Sequence, residues 1–257
     1  MEHPQEEEVI LILADISGYT RFMVSNRQAI RHAQIIITEL TKAIIAQVEI
    51  PLEISKLEGD AVFLYALKAD SGQWQQISQE IGRKLLNFLS AFSDKLVELT
   101  QSNTCSCAAC MNIDKLHLKI IVHSGQALLY HLGRFEELSG VDVIIVHRLL
   151  KNSVAANEYI LMTEAAYREV RFPTDIPVTS GEETYGDIGK IRTYIYFPSA
   201  VPEPEAPART VAYTSKYHRL KNMAIKGMQS LLISSGLAKL PRFNHLPEQT
   251  GKTLPGE

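Results

Sequence analysis

Short apolar runs alternate along the chain with long segments of helical spacing. Residues 9–16, VILILADI, have the length of a buried strand, and the apolar positions of residues 28–48 recur at the spacing of an amphipathic helix. Two more strand-like runs, ISKLE and AVFLYAL, meet at Gly59 and Asp60, which predicts a β-hairpin. This part of the chain therefore predicts a strand, a helix and a hairpin.

The alternation continues toward the carboxyl end, without an internal repeat. A second helical segment covers about residues 74–99, and a third covers about residues 141–152. Strands are predicted in LHLKIIVH, QALLYHL, EYILMT and RTYIYFP. The order β-α-β-β-α-β-β-α-β-β indicates an α/β sandwich, with a mixed or antiparallel sheet and helices over one face.

A proline-rich segment separates this pattern from the tail. VPEPEAPART, residues 201–210, has the composition of a linker. We therefore predict a core domain at residues 1–199 and a linker with a basic tail at residues 200–257. Within the tail, SKYHRLKNMAIKGMQSLLISS has the pattern of a basic amphipathic helix that packs on the core, pairs with a second copy or touches a membrane surface.

Composition and charge narrow the function classes. Hydrophobic residues make up 46% of the 257, which is ample for a core. The apolar runs are shorter than a membrane helix and the start, MEHPQEEE, does not resemble a secretory signal, so we expect a cytoplasmic protein with no transmembrane segment. The net charge of −3 divides into +4 after residue 199 and −7 before it, which argues against a general nucleic-acid-binding body.

Two carboxylates stand at the ends of apolar strands. Asp15 lies three residues before Gly18, and Asp60 follows Gly59 at the hairpin tip. Carboxylates brought together at a sheet edge can hold Mg²⁺, which takes oxygen ligands and keeps water or phosphate oxygens for its other positions. The alternative is that each aspartate has only a local structural role, with Asp15 capping the following helix and Asp60 serving as an ordinary turn residue.

Taken together, these segments resemble the catalytic domain of the class III nucleotidyl cyclases, the adenylate and guanylate cyclase superfamily. The matching stretches are ADISGYTRF, KLEGDAVF, LKIIVHSGQAL, VHRLL, EYILMTEAAY and GKIRTYIYF, in the family's order. The resemblance implies a ferredoxin-like, palm-type domain in a little-characterised bacterial branch of cyclase-like proteins.

The resemblance assigns a metal and phosphate site to the first strand and the hairpin. Asp15 and Asp60 match the family's two metal-binding aspartates, and the resemblance offers the Ile16 carbonyl as an expected further ligand. The Mg²⁺ or Mn²⁺ ions activate the ribose 3′-hydroxyl for attack on the α-phosphate. Backbone N–H groups near Ser17 and Gly18 would contact the phosphates.

The resemblance also assigns the residues that read the base. Lys56 falls where adenylate cyclases have a lysine and guanylate cyclases an acid, and Glu137 falls where the family has a second base-reading aspartate. A lysine only donates hydrogen bonds, which suits an adenine ring nitrogen, and Glu137 would accept from the amino group. The alternatives are a solvated edge-strand lysine and a solvated loop glutamate.

The catalytic positions match less completely. Arg148 falls at the arginine that neutralises charge on the transferring phosphate. Ile144 stands where the family has a ribose-orienting asparagine, so that role is vacant unless His147 or Asn152 fills it.

The triphosphate-binding lysine of the family falls on Ile188. Lys190 or Arg192 would have to reach the phosphates instead. Each is equally well explained as a cation at a strand edge.

All three cysteines lie in CSCAAC, at Cys105, Cys107 and Cys110. Three thiols at this spacing suit structural Zn²⁺ with a fourth ligand, and His117 is the nearest candidate in sequence. The alternatives are a reduced tight loop and a redox role. The cyclase resemblance does not account for this cluster.

The leading hypothesis is a homodimeric signalling enzyme, a phosphorus–oxygen lyase that converts ATP to cyclic AMP and pyrophosphate at sites shared between two copies. One rival is a catalytically degenerate cyclase fold that binds a nucleotide as a sensor or scaffold. Another is a cyclase for a different NTP. A diguanylate cyclase is disfavoured because its Gly-Gly-acid-acid-Phe hairpin is absent.

Overall fold

In a computed structural model of the chain, the structure describes residues 5–68, 71–103, 105–133, 135–173 and 175–198. The predicted linker and basic tail, and with them the predicted end of the core domain, lie outside this part of the chain. None of the described helices has the length and apolarity needed to cross a bilayer.

Eight described strands form one sheet. They are β1 (Gln5–Ser17), β2 (Glu53–Glu58), β3 (Ala61–Leu67), β4 (His117–Leu132), β5 (Phe135–Ser139), β6 (Tyr159–Thr163), β7 (Val178–Tyr185) and β8 (Gly189–Tyr196). Their order is β2-β3-β1-β4-β6-β8-β7, with β5 paired to β4. The β4–β6 pair is parallel and the other pairs are antiparallel. The sheet, predicted from the sequence to be mixed or antiparallel, is therefore a mixed one.

Six α-helices accompany the sheet in the described residues. They are α1 (Tyr19–Ser25), α2 (Ile30–Ile45), α3 (Ser71–Ser102), α4 (Ala108–Met111), α5 (Val141–Arg148) and α6 (Glu164–Glu169). Single 3-10 turns occur at Arg27–Ala29, before α2, and at Ile113–Lys115, before β4. The predicted helices near residues 28–48, 74–99 and 141–152 correspond to α2, α3 and α5.

The core has two layers, one on each face of the sheet. Alternate residues of β1 divide between them: Ile10 and Ile12 pack with α2 and α3, whereas Leu11 and Leu13 pack with α5. Helices therefore cover both faces, which corrects the prediction that they lie over one. The apolar run of β1 has no polar alternation because both of its faces are buried.

The central position of β1 places the acidic residues. Asp15 is the register partner of Ala61 in β3 and of Lys119 in β4. Asp60 immediately precedes Ala61 in the turn between β2 and β3. The sheet thus brings both aspartates and one lysine to the same end of the adjacent strands β3, β1 and β4.

Candidate functional site

The two predicted metal ligands lie side by side. Burial and the negative charge of Asp15 raise the pKa of Asp60 to about 7, and the two carboxyl groups share a hydrogen bond. The Lys119 ammonium lies 3.0 Å from Asp15 Oδ2. Asp60 follows Gly59, whose φ of +68° is readily adopted by glycine and lets the hairpin turn tightly. The result is a half-buried pair of acids with one neighbouring cation.

This arrangement favours added positive charge. Two adjacent carboxyl groups repel when both are ionised, and a divalent cation removes that repulsion. Oxygen donors of this type are the ligands that Mg²⁺ and Mn²⁺ prefer. The donor set therefore fits a divalent metal, with Lys119 as a competing positive charge.

The turn after β1 has a close-packed backbone. Gly18 has a φ of +88°, and a Cβ at this position would lie 3.1 Å from the carbonyl oxygen of Lys115. The Gly18 carbonyl accepts a 2.8 Å hydrogen bond from Phe22 N–H, which starts α1. The side chain of Ile16 is buried in the core, so a contact from this residue to a ligand must come from its backbone. Ser17 is the last residue of β1 beside this turn.

The two predicted base-reading residues are brought together by β2 and β5. Lys56 Nζ lies 3.6 Å from Glu137 Oε2 and 3.4 Å from Glu58 Oε1. The same ammonium stands 5.9 Å from the centre of the Phe63 ring. All three charged side chains are partly exposed, so a donor and acceptors line one accessible surface.

His147 connects α5 to this surface. Its Nε2 lies 3.1 Å from Glu58 Oε2, and its Nδ1 lies 2.7 Å from the Val143 carbonyl oxygen. The ring also meets Phe63 edge to face at 5.0 Å. These contacts pack the His147 ring against Phe63 and link α5 to Glu58 of the same chain.

Arg148, at the end of the same helix, lines a pocket of about 480 Å³ together with His147. Its Nη2 donates a 2.9 Å hydrogen bond to Asp187 Oδ2, and both side chains are more than half exposed. The pocket is lined by Val143, Ile144, His147, Arg148, Lys151 and Tyr185. Ile144 therefore presents an apolar side chain where the cyclase resemblance expects an amide.

The other two residues predicted to contact phosphate, Lys190 and Arg192, have acidic partners of their own. Lys190 Nζ lies 2.9 Å from Glu182 Oε1, and Arg192 Nη1 lies 3.8 Å from Glu164 Oε1. Asn152 donates a 2.8 Å hydrogen bond to the Tyr159 hydroxyl. Within one chain, Lys190 and Arg192 thus pair with acids other than Asp15 and Asp60, whereas Asn152 is linked through Tyr159 to the strand position beside Lys119.

Sequence reasoning missed two charged residues of this region, Lys119 and Glu58. Lys119 donates to the Leu150 carbonyl oxygen at 3.2 Å as well as pairing with Asp15. A signal was available, because it is the one charged residue in the apolar run LKIIV. Glu58, which contacts both Lys56 and His147, could have been noted as the acid two residues after Lys56 on the same strand face.

The cysteine cluster acquires a histidine, and that histidine is not His117. Nδ1 of His32, near the start of α2, lies 3.4 Å from the Sγ of Cys107, 3.6 Å from that of Cys105 and 3.8 Å from that of Cys110. The four ligand atoms all lie within 4.8 Å of one another. His117 begins β4 opposite Ser17, so the assignment of His117 as fourth ligand is corrected.

Hydrogen bonds organise the thiols. Burial would raise the pKa of Cys107, but the Cys110 backbone N–H, His32 and the other two cysteines lower it to about 7. Burial and the neighbouring thiols raise the pKa of Cys110 above its ordinary value. The cluster therefore contains one thiol that ionises easily and one that needs a compensating cation.

Part of the sequence is similar to known protein sequences. A family described as a protein of unknown function, DUF2652, matches residues 37–159. An uncharacterized protein of Mycobacterium tuberculosis, Rv2561/Rv2562, is 33% identical over 113 residues, which cover 44% of this chain and 50% of the relative. The chain thus spans half the length of the curated relative it matches.

Solved structures with the same fold are class III cyclase domains. A bacterial light-regulated adenylyl cyclase has a TM-score of 0.57 at 16% identity, covering 76% of this chain and 52% of that one. The adenylyl cyclase CyaB from P. aeruginosa has a TM-score of 0.57 at 14% identity, with coverage of 76% and 96%. A class III adenylyl cyclase-like ATP-binding protein from Pseudomonas aeruginosa has a TM-score of 0.53 at 14% identity, with coverage of 66% and 36%. At these identities the comparison shows a cyclase-like fold.

Proposed function

We propose that the protein is a nucleotide cyclase that converts ATP to cyclic AMP and pyrophosphate at sites shared by two copies of the chain. The observation that carries this proposal is the pair of adjacent carboxyl groups, Asp15 and Asp60, at the end of a cyclase-like sheet. Burial and the negative charge of Asp15 raise the pKa of Asp60. A divalent cation bound between the two carboxylates would lower their electrostatic energy.

The reaction forms one P–O bond and breaks another. The ribose 3′-hydroxyl gives its proton to solvent water as its oxygen bonds to the α-phosphorus, the bond from that phosphorus to the bridging oxygen of the β-phosphate breaks, and pyrophosphate leaves with the electron pair of that bond. Mg²⁺ or Mn²⁺ ions bound by Asp15 and Asp60, with the Ile16 carbonyl, would supply electrostatic stabilisation of the attacking and leaving oxygens. The turn at Ser17 and Gly18 would contact phosphate oxygens through its backbone N–H groups.

The surface around Lys56 supports adenine recognition. The Lys56 ammonium donates hydrogen bonds and Glu137 accepts them, and the two heads lie 3.6 Å apart. A donor and an acceptor at this spacing match the ring nitrogen and the amino group along one edge of adenine. Glu58 also pairs with Lys56, at 3.4 Å, which helps to orient the ammonium.

The exposed apolar surface around α5 supports the proposal that two copies of the chain share their sites. Exposed apolar side chains occur there and on the neighbouring strands: Leu57, Leu132, Val141 and Ile144 are each more than half exposed. A second copy would cover these residues. It would also bring Arg148, which in its own chain pairs with Asp187, to the acidic pair of the other.

A second candidate function is nucleotide binding without turnover. Two observations favour it: Lys119 already supplies a positive charge to Asp15, and the ribose-orienting amide is replaced by Ile144. One of the similar solved structures is itself described as an ATP-binding protein. On this alternative, the chain binds ATP and releases no cyclic product.

Complementation between two inactive variants tests the shared site. Asp60→Asn and Arg148→Ala should each abolish turnover, and an equimolar mixture with subunit exchange should recover about a quarter of the parental activity, because half of the dimers have one intact site. Arg168→Ala, at another exposed arginine with an acidic partner, is the matched control and should retain full activity. No recovery despite demonstrated exchange would reject shared sites, and ATP binding without product from the parental chain would support the second candidate.

A further inference from the structure

We propose that His32, Cys105, Cys107 and Cys110 form a structural Zn²⁺ site that fastens the start of α2 to the loop between α3 and α4. This site is separate from the acidic pair, and the proposal does not depend on nucleotide turnover. It uses all three cysteines of the chain and a histidine that lies more than seventy positions away in sequence.

The distances fit a single tetrahedral ion. Zinc bonds of about 2.3 Å to sulfur and about 2.0 Å to nitrogen, at tetrahedral angles, place a sulfur and a nitrogen ligand about 3.5 Å apart. The three separations between His32 Nδ1 and the sulfurs are 3.4, 3.6 and 3.8 Å. A zinc ion can therefore bind between these four atoms with little change in the backbone.

The ligand chemistry selects zinc among common metals. Three thiols and one imidazole form a soft S₃N set, whereas Mg²⁺ and Ca²⁺ require oxygen ligands. Zinc binding needs thiolates and a neutral imidazole. All three cysteines are free thiols, so each is available to ionise and bind.

The loop is shaped to present its sulfurs. The Asn103 side chain links the two ends of this segment by hydrogen bonds. Its amide donates to the Cys110 carbonyl oxygen at 2.7 Å, and its Oδ1 accepts from Cys105 N–H at 2.8 Å. The Cys107 N–H points to the Cys105 sulfur at 3.5 Å. Backbone N–H groups directed at sulfur stabilise thiolates, which is the form that binds metal.

The site links two parts of the fold, the start of α2 and the segment of α4. His32 belongs to the helix that packs on the sheet, and Cys110 lies in α4 just before the 3-10 turn that ends at Lys115. That turn packs against Gly18, beside the acidic pair. Zinc would therefore stabilise the segment that supports the turn after β1.

Metal analysis of the purified full chain tests the proposal. We expect about one zinc per chain after purification under reducing conditions. His32→Ala should lower zinc affinity by more than the roughly 10–100-fold caused by losing a group that only supports a ligand. His117→Ala is the matched control, since it removes the histidine nearest to the cysteines in sequence, and it should retain zinc and melt at the parental temperature in the presence of zinc.

Measurements on the parental chain keep the test decisive if the variants fail to fold. X-ray absorption at the zinc edge should give three sulfur neighbours at about 2.3 Å and one nitrogen at about 2.0 Å. Replacement by Co²⁺ should give the visible absorption of a tetrahedral cobalt–thiolate site. The proposal is overturned if neither Zn²⁺ nor Co²⁺ binds the reduced chain at one per chain, or if His117→Ala loses zinc while His32→Ala retains it.

Discussion

Replacing Asp60 by asparagine should stabilise the metal-free protein and remove its response to divalent cations. The pKa of Asp60 is raised from 3.8 to about 7 by burial and by Asp15. A shift of about 3 units corresponds to at most about 4 kcal/mol, and solvent screening of this half-buried group reduces the expected effect to about 1–2 kcal/mol. Asparagine has nearly the same shape and carries no charge.

The sign of the pH dependence follows from proton binding. Because the folded state holds the Asp60 proton more tightly than the unfolded state, this group contributes stability below about pH 4 that is lost as the pH rises through about 7. The advantage of Asp60→Asn over the parent in free energy of unfolding should therefore be small near pH 4 and reach its full value above about pH 7.

Urea unfolding at several pH values with a chelator measures this difference. With Mg²⁺ or Mn²⁺ at about 100 times its dissociation constant, the parent should gain about 2.7 kcal/mol and Asp60→Asn much less. Asp175→Asn, at an exposed aspartate, is the control and should follow the parent under both conditions. A parental advantage over Asp60→Asn that increases with pH in the absence of metal would refute the reasoning.

Three further predictions concern single residues. Lys119→Met should lower stability in chelator by removing the partner of Asp15, and it should increase the stabilisation by Mg²⁺ in unfolding experiments; an unchanged Mg²⁺ response would show that lysine and metal do not compete. Lys56→Gln should reduce kcat/KM for ATP by about ten- to hundredfold and that for GTP less, since a charged hydrogen bond is lost; an unchanged ratio in an active enzyme would end the assignment of Lys56 to base reading. Gly18→Ala should cost about 1–2 kcal/mol in urea unfolding, because its φ of +88° strains an L-residue and the new Cβ meets the Lys115 carbonyl.

The sequence predicted the strongly patterned elements best. α2 and α3 have apolar positions at the helical period because each buries one face, and β1 and β3 are continuous apolar runs because both of their faces are buried. The weak pattern of β7 gave no strand signal, since VTSGEETY is a polar edge strand that depends on pairing with β8. LHLKIIVH and QALLYHL are one strand, β4, because the long β1 pairs with both parts.

The candidate site was predicted only where local sequence determines it. The ends of β1 and of the hairpin can be identified from composition, so Asp15 and Asp60 were found. His32 was missed because its distance to the cysteines depends on how α2 packs against the α3–α4 loop, which no local pattern reveals. The ion pairs of Lys119 and Arg148 likewise depend on register and on contacts between distant elements.

Identification of reaction products tests the central claim most directly. The purified full chain would be incubated with each of the four NTPs and Mn²⁺, with Asp60→Asn as the matched inactive control, and the products identified by mass. The proposed function predicts cyclic AMP and pyrophosphate in equal amounts from ATP, and neither product from Asp60→Asn. Intact ATP after prolonged incubation with the folded, metal-loaded dimer would contradict it.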